Sequence, residues 1–204
     1  MSLANIFLRV VDPFMQPLRD NILQFAVKGT GLRALDVCCG TGTQVLLYAQ
    51  NGIEATGIDE DLNLIKLAEK RKAGDGLNNA FFQAANALDL PFEDNRFDFA
   101  SISLALHDKE RRQRNLIISE MKRVTTDDGY LILLDYSVPM PRIPSACFAR
   151  TLEFFAGREH HNSFKDYVKQ GGLDELLRVN SLVEEEREIL GPVVIVKARR
   201  EISD

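Results

Sequence analysis

The sequence predicts an α/β fold in which a mostly parallel, seven-stranded sheet lies between helices and ends in an antiparallel hairpin. The first indication is a short apolar run, residues 34–37, that passes through a glycine-bearing turn into a helical pattern from Gln44 onward. The second is the alternation of strand and helix patterns along the chain, which is typical of parallel sheets. The third is a pair of strand patterns joined by Gly191-Pro192, which is typical of a hairpin.

The individual elements follow from hydrophobic spacing and from the residues that interrupt it. Asp12-Pro13 interrupts a first amphipathic stretch, and Pro17 fits the first turn of the next helix because proline has no N–H to donate. The charge run 184–188 is predicted to form a solvated strand face. The predicted strands are 34–37, 52–59, 79–84, 96–104, 130–136, 181–190 and 193–199. The predicted helices are 3–11, one from Pro17, one from Gln44, 62–72, 109–124, 146–156 and one that ends at Gly171-Gly172.

Composition indicates one globular domain and excludes several classes of protein. The 204 residues are 45% hydrophobic and 27% charged, which suffices for a single well-buried core. A net charge of −5 disfavours a general nucleic-acid binder. Residues 1–10 do not form a secretory signal, and no apolar run is long enough for stable membrane insertion. Three cysteines, two of them adjacent, fit reduced thiols and a cytoplasmic protein better than a disulfide framework or a zinc site.

The turn after the first strand has the features of a nucleotide-cofactor site. Gly40 and Gly42 let the backbone bend and a ligand approach it closely. Asp36 is too polar for a buried strand unless a partner, such as the amine of a ligand, satisfies it. Asp59 follows Gly40 by nineteen positions at the tip of the next strand, where an acid can accept both ribose hydroxyls. Val45 replaces the third glycine of the dinucleotide fingerprint, so the prediction is a ribose-bearing cofactor rather than a dinucleotide in particular.

Residues 35–42, Leu-Asp-Val-Cys-Cys-Gly-Thr-Gly, resemble the first motif of the class I S-adenosylmethionine-dependent methyltransferases. Gly57-Ile58-Asp59 is similar to the end of that family's second strand, and residues 86–92 and 97–100 are similar to its third and fourth strands. The resemblance implies a Rossmann-like three-layer sandwich and S-adenosylmethionine as cofactor. Cys38 stands where the family usually has glycine, so its side chain is expected to crowd the amino-acid end of the cofactor.

The same resemblance assigns roles to individual residues. Asp36 and the two glycines would hold the amino-acid end of the cofactor, Asp59 the ribose, and the loop after the third strand the adenine. Ser103 and Leu104 would border the sulfonium. The cofactor-binding residues that the resemblance implies are Asp36, Cys38, Gly40, Thr41, Gly42, Asp59, Glu60, Asn86, Ala87, Leu88, Ser103 and Leu104. Asn86 has an alternative role as a residue that only shapes its turn.

His107 is the candidate catalytic base. It follows the carboxyl end of the fourth strand, where ligands bind in open α/β sheets, and histidine transfers protons near neutral pH. A loop or capping role for His107 remains open. Phe14 and Met15 in the leader are predicted to cover the site or to plug a junction between helices. Candidate substrate contacts are Phe14, Arg142, His160 and His161. No metal is predicted, because adjacent histidines rarely bind one ion together.

Taken with the resemblance, these observations predict methyl transfer from S-adenosylmethionine to a small-molecule acceptor by in-line displacement, with carbon, oxygen and nitrogen acceptors open. Short leader and helix pieces look most like the quinone-biosynthesis C-methyltransferases. The alternatives are a non-catalytic cofactor-binding or scaffold protein, or a nucleotide-dependent oxidoreductase, which the missing third glycine disfavours. The oligomeric state is open. The predicted parts of the domain are an N-terminal helical cover (1–30), a cofactor-binding core (31–136), a substrate-side insertion (137–180) and the hairpin (181–204).

Overall fold

The structure is a computed structural model that describes residues 12–26, 31–146 and 158–201, with side chains from Met15 onward. Its strands are β1 Arg33–Val37, β2 Glu54–Asp59, β3 Ala80–Ala84, β4 Phe97–Ser103, β5 Thr125–Tyr136, β6 Leu182–Leu190 and β7 Val193–Arg200. Its helices are α1 Asp12–Phe25, α2 Thr43–Gln50, α3 Leu62–Asp75, α4 Arg111–Val124, α5 Arg158–Gln170 and α6 Leu173–Val179. The predicted helix 3–11, and all of the predicted helix 146–156 except Ala146, lie outside the described residues.

The strands form one sheet in the order β3-β2-β1-β4-β5-β7-β6. The first five are parallel, and β7 pairs antiparallel with both β5 and β6. The strand order reverses between β1 and β4, so right-handed crossovers place helices on both faces of the sheet. The predicted seven-stranded, three-layer α/β fold with its antiparallel hairpin is confirmed. The reversal also creates a crevice at the carboxyl ends of β1 and β4, where ligands bind in such sheets.

Burial explains why these segments become central or edge strands. Leu35 and Val37 of β1 and Phe99 of β4 are fully buried, as expected for strands that are covered on both faces. At the far edge, residues 184–187 of β6 are exposed and Glu188 is half-buried, which confirms the predicted solvated face except at its last residue. Charged side chains on an edge strand also hinder pairing with strands of other chains. None of the helices in the described ranges is long and apolar enough to cross a membrane.

The predicted helix start at Pro17 is wrong, because α1 begins at Asp12 and includes Pro17. Pro17 lies in the second turn, where it removes only one backbone hydrogen bond. The predicted apolar face is confirmed in Ile22 and Phe25, which are 1% and 5% exposed. Packing of that face stabilises the helix, and most helical stability in proteins comes from such packing rather than from propensity.

The predicted start of the fifth strand near residue 130 is also wrong, because β5 begins at Thr125. Gly129 resembles the end of a turn in the sequence, but it lies within β5, opposite a register shift between Phe97 and Phe99. A Cβ at Gly129 would lie 2.7 Å from the carbonyl oxygen of Asp98. The glycine therefore permits a close approach of β4 and β5, which a turn-based interpretation cannot reveal.

Candidate active site

Two cavities open at the carboxyl ends of β1, β2 and β4, and they share Cys38 and Ala105 in their walls. The β2 cavity has a volume of about 240 Å³ and is lined by Ile58, Asp59, Glu60, Asn86, Ala87 and Leu88, among others. The α1 cavity has a volume of about 290 Å³ and is lined by Asp36, Gly40, Thr41, Ser103 and Leu104 together with residues of α1. The structure therefore brings eleven of the twelve predicted cofactor residues to two adjoining cavities.

The turn between β1 and α2 is held from two sides. The Cys39 N–H donates to the Ile58 carbonyl at 2.8 Å, which ties the turn to β2. The Arg71 guanidinium of α3 donates to the Thr41 carbonyl at 2.9 Å and to the Thr43 hydroxyl at 2.7 Å. Arg71 was not predicted from the sequence, because the fold creates its contact with a turn that lies some thirty residues away. These bonds fix the conformation of the backbone that faces the α1 cavity.

Gly40 and Gly42 are required for different reasons, although the sequence predicts the same role for both. Both have positive φ, 55° and 76°. A Cβ at Gly40 would meet no atom within 4 Å, whereas one at Gly42 would lie 2.5 Å from the Phe82 ring and 2.8 Å from the Ala68 Cβ. Gly42 is also the one predicted cofactor residue that lines neither cavity. The structure thus gives Gly42 a packing role under the turn and leaves Gly40 open to a ligand.

We expect Gly42→Ala to destabilise the protein by about 3 kcal/mol, because the methyl group adds a clash to an unfavourable left-handed backbone. Gly40→Ala is the matched control, since it carries the backbone cost of about 1 kcal/mol without a clash. Urea unfolding of both variants measures the difference. Equal losses of stability would contradict the packing role of Gly42.

Asp59 lies directly beside the glycine turn. Its Oδ2 accepts the Gly40 N–H at 2.9 Å, and its Oδ1 accepts the Asp61 N–H at 3.0 Å. Asn86 lines the same cavity, and its side-chain oxygen accepts the Leu88 N–H at 2.9 Å. The amide of Asn86 therefore shapes its loop and borders the cavity at once. The predicted juxtaposition of the two strand tips is present.

Asp36 is a buried carboxyl group at the base of the α1 cavity. It is 4% exposed, and its Oδ1 accepts the Ser101 hydroxyl at 2.7 Å. Burial raises the pKa of Asp36 to about 7, while the Ser101 hydrogen bond and the charge of Arg19 oppose that rise. Arg19 belongs to α1 and lines the same cavity. The cavity is thus lined by an acidic side chain from the sheet, Asp36, and by a cationic side chain from α1, Arg19.

Three side chains at or beneath the α1 cavity have buried polar atoms without hydrogen bonds. Gln44 is 5% exposed, and neither its amide nitrogen nor its amide oxygen has a partner. The Ser103 hydroxyl also lacks one, and both residues line the cavity. The Tyr48 hydroxyl lies near Ser101 and Gln44 but outside hydrogen-bonding geometry. Gln44 was not predicted as a site residue, because a glutamine in a first helical turn carries no functional signal.

The two adjacent cysteines differ in their surroundings. Cys38 has a φ of 59° and borders both cavities, which is the position where crowding of a ligand was predicted. The Cys39 sulfur packs against β2, where a Cβ at Gly57 would lie 2.8 Å from it. Burial raises the pKa of Cys38 to about 12 and that of Cys39 well above its usual range. Both side chains are therefore neutral thiols at physiological pH.

His107 lies in a buried cluster behind the cavities. It is 4% exposed and is not among the residues that line either cavity. Its Nδ1 is 2.7 Å from Asp135 Oδ1. Asp135 is fully buried and also accepts the N–H groups of Leu106, His107 and Tyr136, at 3.0, 3.1 and 2.7 Å. The role of His107 as a base stays a prediction; the contacts fix the loop after β4. An acid within the apolar run of β5 was the available signal for Asp135.

The structure does not bring the predicted substrate contacts to the two cavities. Arg142 is exposed in the connection after β5. His160 lies 5.6 Å from His107 between ring centroids and lines a third, open cavity of about 680 Å³, which shares Asp108 and Gln113 with the β2 cavity. His161 lies beside it on α5. The side chain of Phe14 is outside the described part of the chain. Within the described residues, no group of three histidine, cysteine or acidic side chains is arranged to hold a metal.

A sheet of this order, with a glycine turn after β1 that faces an acid at the tip of β2, defines the Rossmann-like class of nucleoside-cofactor proteins. Residues 35–133 match the family described as "Methyltransferase domain". The demethylmenaquinone methyltransferase of Geobacillus kaustophilus is 34% identical over 125 residues, 59% of this chain and 52% of the relative. That of Bacillus velezensis is 31% identical over 160 residues, 73% of this chain and 66% of the relative.

The crystal structure of a SAM dependent methyltransferase from Aquifex aeolicus aligns with a TM-score of 0.71 at 17% identity, over 97% of this chain and 98% of that one. The chain belongs to the class I S-adenosylmethionine-dependent methyltransferases, and within them it is weakly similar to the quinone C-methyltransferases. The predicted resemblance is confirmed. The chain spans about half to two thirds of the length of these curated relatives.

Proposed function

We propose that this chain transfers a methyl group from S-adenosylmethionine to a small-molecule acceptor by in-line displacement. The observation that carries the proposal is the pair of adjoining cavities, one beside Asp59 and the other beside Asp36, which meet at Cys38 and Ala105. A nucleoside joined to an amino acid through a sulfonium would fit such a pair, with one half of the molecule in each cavity. The relatives named demethylmenaquinone methyltransferases support a small acceptor, and the free thiols of Cys38 and Cys39 fit a cytoplasmic enzyme.

The residues of the β2 cavity fit the adenosine half of the cofactor. Each Asp59 carboxylate oxygen accepts one backbone N–H and keeps a further lone pair for a ribose hydroxyl. Ile58, Ala87 and Leu88 supply apolar surface for a purine, and the Asn86 amide adds hydrogen-bonding groups. Glu60 lies at the same rim. Hydrogen bonds to the charged carboxylate of Asp59 would provide most of the directional binding energy in this half.

The residues of the α1 cavity fit the amino-acid half. Asp36 is buried and would pair with the ammonium group, while Arg19 would pair with the carboxylate. Gly40 leaves the backbone accessible because nothing fills the position of its missing Cβ. Ser103 and Leu104 would border the reacting end. When bound, the cofactor supplies an electrophilic methyl carbon, so the main tasks of the protein are to orient the reactants and to exclude water.

Calorimetry with S-adenosylmethionine tests the proposal. We expect Asp59→Ala to weaken binding by about 10- to 100-fold, because charged hydrogen bonds to the ribose are lost. Asp61→Ala is the control, since the Asp61 side chain accepts the Asn63 N–H at 2.7 Å as the cap of α3 and lines neither cavity.

Two outcomes would count against methyl transfer. An absence of heat with millimolar cofactor, or tighter binding of NAD, would favour the oxidoreductase alternative. Binding without S-adenosylhomocysteine formation across a broad acceptor panel would favour the non-catalytic alternative.

A further inference from the structure

Arg114 is a charged side chain that is almost completely buried. It is 1% exposed and belongs to the same buried face of α4 as Ile117, Ile118 and Met121. Transfer of a charge into such surroundings is costly unless the charge is paired and hydrogen-bonded. An arginine at this position therefore requires partners, and the identity of those partners indicates what the residue does.

The guanidinium of Arg114 contacts two separate elements. Its Nε donates to the Leu106 carbonyl, in the loop after β4, at 3.0 Å. Its terminal nitrogens donate to α5, Nη1 to Asp166 Oδ2 at 2.9 Å and Nη2 to the Ser163 carbonyl at 2.6 Å. The guanidinium carbon also lies 5.4 Å from the centre of the Tyr167 ring. Arg114 thus ties the loop after β4 to α5.

Leu106 is held at both of its backbone groups by charged side chains. Its N–H donates to Asp135 Oδ2 at 3.0 Å, and its carbonyl accepts the Nε–H of Arg114. The carbonyl also accepts the Lys109 N–H at 3.2 Å, a bond within the loop itself. Hydrogen bonds to charged groups are stronger than those between neutral groups. Asp135 and Arg114 therefore restrain Leu106 from outside the loop at both its N–H and its carbonyl.

Ala105, the residue before Leu106, forms part of the wall where the two cavities meet. It lines both the β2 cavity and the α1 cavity, and Cys38 is the other residue common to the two. Leu104, the residue before Ala105, has a φ of 50°, which is unfavourable for a bulky side chain. Such a conformation persists only where the surrounding structure holds it. The position of Ala105 therefore depends on the restraints at Leu106.

A role in stability alone does not account for an arginine here. The attraction within a buried ion pair is offset by the cost of desolvation, so apolar side chains of similar volume often stabilise a protein equally well or better. What a guanidinium adds is geometry, since it is planar and presents its donors in fixed directions. Arg114 uses Nε, Nη1 and Nη2 at once, which fixes the loop relative to α5.

We propose that Arg114 is a positioning residue: by holding Leu106 against α5, it sets the place of Ala105 in the wall that the two cavities share. This inference rests on the proposed function, in which the halves of the cofactor join beside Ala105. Arg114 lines neither cavity, so it acts through the backbone of residues 105 and 106. A misplacement of about 1 Å at a reacting centre can lower turnover by about 100-fold, so this wall must be placed accurately.

Arg114→Met tests the proposal, because methionine keeps an apolar stem and removes the guanidinium. We expect the variant to bind S-adenosylmethionine about tenfold more weakly, measured by calorimetry at a temperature where urea unfolding shows that it is fully folded. A loss of stability alone would leave the affinity of the folded protein unchanged. Arg112→Met is the matched control, an exposed arginine of the same helix, and it should bind as the wild type does.

The methyl group of Ala105 reports the position of the wall directly. In cofactor-free protein labelled with carbon-13 alanine, we expect Arg114→Met to shift or broaden the Ala105 methyl resonance, which is assigned from its absence in Ala105→Gly. Asp166→Asn should leave that resonance in place and change cofactor affinity by less than about twofold. The Asp166 side chain is 40% exposed, and Arg114 keeps its bonds to Leu106 and Ser163 in this variant. Asp166→Asn thus separates the hold on the loop from the docking of α5.

Arg114→Lys keeps the proposal testable if Arg114→Met does not fold. Lysine preserves the charge, but its single ammonium group does not reproduce the fixed fork of donors that contacts the loop and α5 together. We expect cofactor affinity to fall by about threefold or more, with a change in the Ala105 methyl resonance.

Three results would overturn the inference. The first is wild-type cofactor affinity in folded Arg114→Met or Arg114→Lys. The second is an unchanged Ala105 methyl resonance in a variant of Arg114 that loses affinity. The third is an equal loss of affinity in Asp166→Asn, which would assign the effect to the docking of α5. Failure of the proposed function is distinguishable from all three, because the wild type itself would not bind S-adenosylmethionine, while the Ala105 resonance would still report the effect of Arg114 on the wall.

Discussion

Replacing Asp36 by asparagine is expected to weaken S-adenosylmethionine binding by more than about 100-fold and to stabilise the cofactor-free protein above neutral pH. Asparagine preserves the shape of the side chain and can still accept the Ser101 hydroxyl, which lies 2.7 Å from Asp36. It removes the charge that would pair with the ammonium group of the cofactor. Binding and stability should therefore change in opposite directions.

The stability that Asp36 gives to the folded protein decreases as the pH rises. Burial raises its pKa to about 7, so the folded protein holds this proton more tightly than the unfolded chain does. The buried, protonated Asp36 therefore stabilises the folded state relative to the ionised form. This stabilisation is fully present below about pH 4 and is lost as the pH rises to about 7. The loss amounts to about 2–4 kcal/mol at alkaline pH. Asp36→Asn removes this dependence, because the amide does not titrate.

Urea unfolding of the cofactor-free wild type and of Asp36→Asn at about pH 4 and about pH 8 measures the stability effect, and calorimetry at the higher pH measures binding. At the lower pH the two proteins should be equally stable, which makes that condition the internal control. Equal stability at both pH values, or unchanged cofactor affinity, would contradict the role of Asp36.

The second large effect is expected at Asp135, where Asp135→Ala should reduce the free energy of unfolding by about 4 kcal/mol. The substitution leaves three buried backbone N–H groups and the His107 ring without the carboxyl group that they contact. Asp127→Ala on the same strand is the control, since the Asp127 side chain is 84% exposed and its ion pair with Arg200 should contribute less than about 1 kcal/mol.

His107→Asn separates positioning from catalysis in the same cluster. Asparagine can donate to Asp135 from nearly the position of Nδ1, but it cannot act as a base near neutral pH. Because His107 lines neither cavity, we expect the variant to keep most of its stability and its kcat, in contrast to the role of base that the sequence predicts. A kcat reduced by more than about 100-fold, with stability and cofactor affinity preserved, would establish His107 as the base and contradict the positioning role.

The sequence was sufficient for the parts of the site that depend on neighbouring residues. The glycine turn, the acid nineteen positions later and the closing hairpin each have a local pattern, and the structure contains all three. Asp36 was also identifiable, because an acid in an apolar strand requires a partner. Asp135 carries the same signal on β5, but nothing nearby in the sequence indicates that its partner is the ring of His107.

The residues that were missed depend on contacts made by folding. Arg71 reaches the turn from α3, and Arg19 of α1 lines the same cavity as Asp36 and affects its pKa through its charge. Gln44 stands out only because its amide group is buried without a hydrogen bond, which is a property of the folded structure. Gly42 was identified, but its reason, the ring of Phe82, belongs to a strand forty residues away. Periodicity and spacing do not contain such information.

The position of α1 links ligand binding to the stability of the packing between α1 and the sheet. Arg19 and Met15 belong to this helix, whereas Asp36 and Ser103 belong to the sheet, and all four border one cavity. A zwitterion held between Arg19 and Asp36 bridges the two elements and adds its binding energy to the packing of Ile22 and Phe25. If the proposed cofactor occupies the cavity, its occupancy would be thermodynamically coupled to the docking of α1, and the ligand would stabilise the helix that borders it.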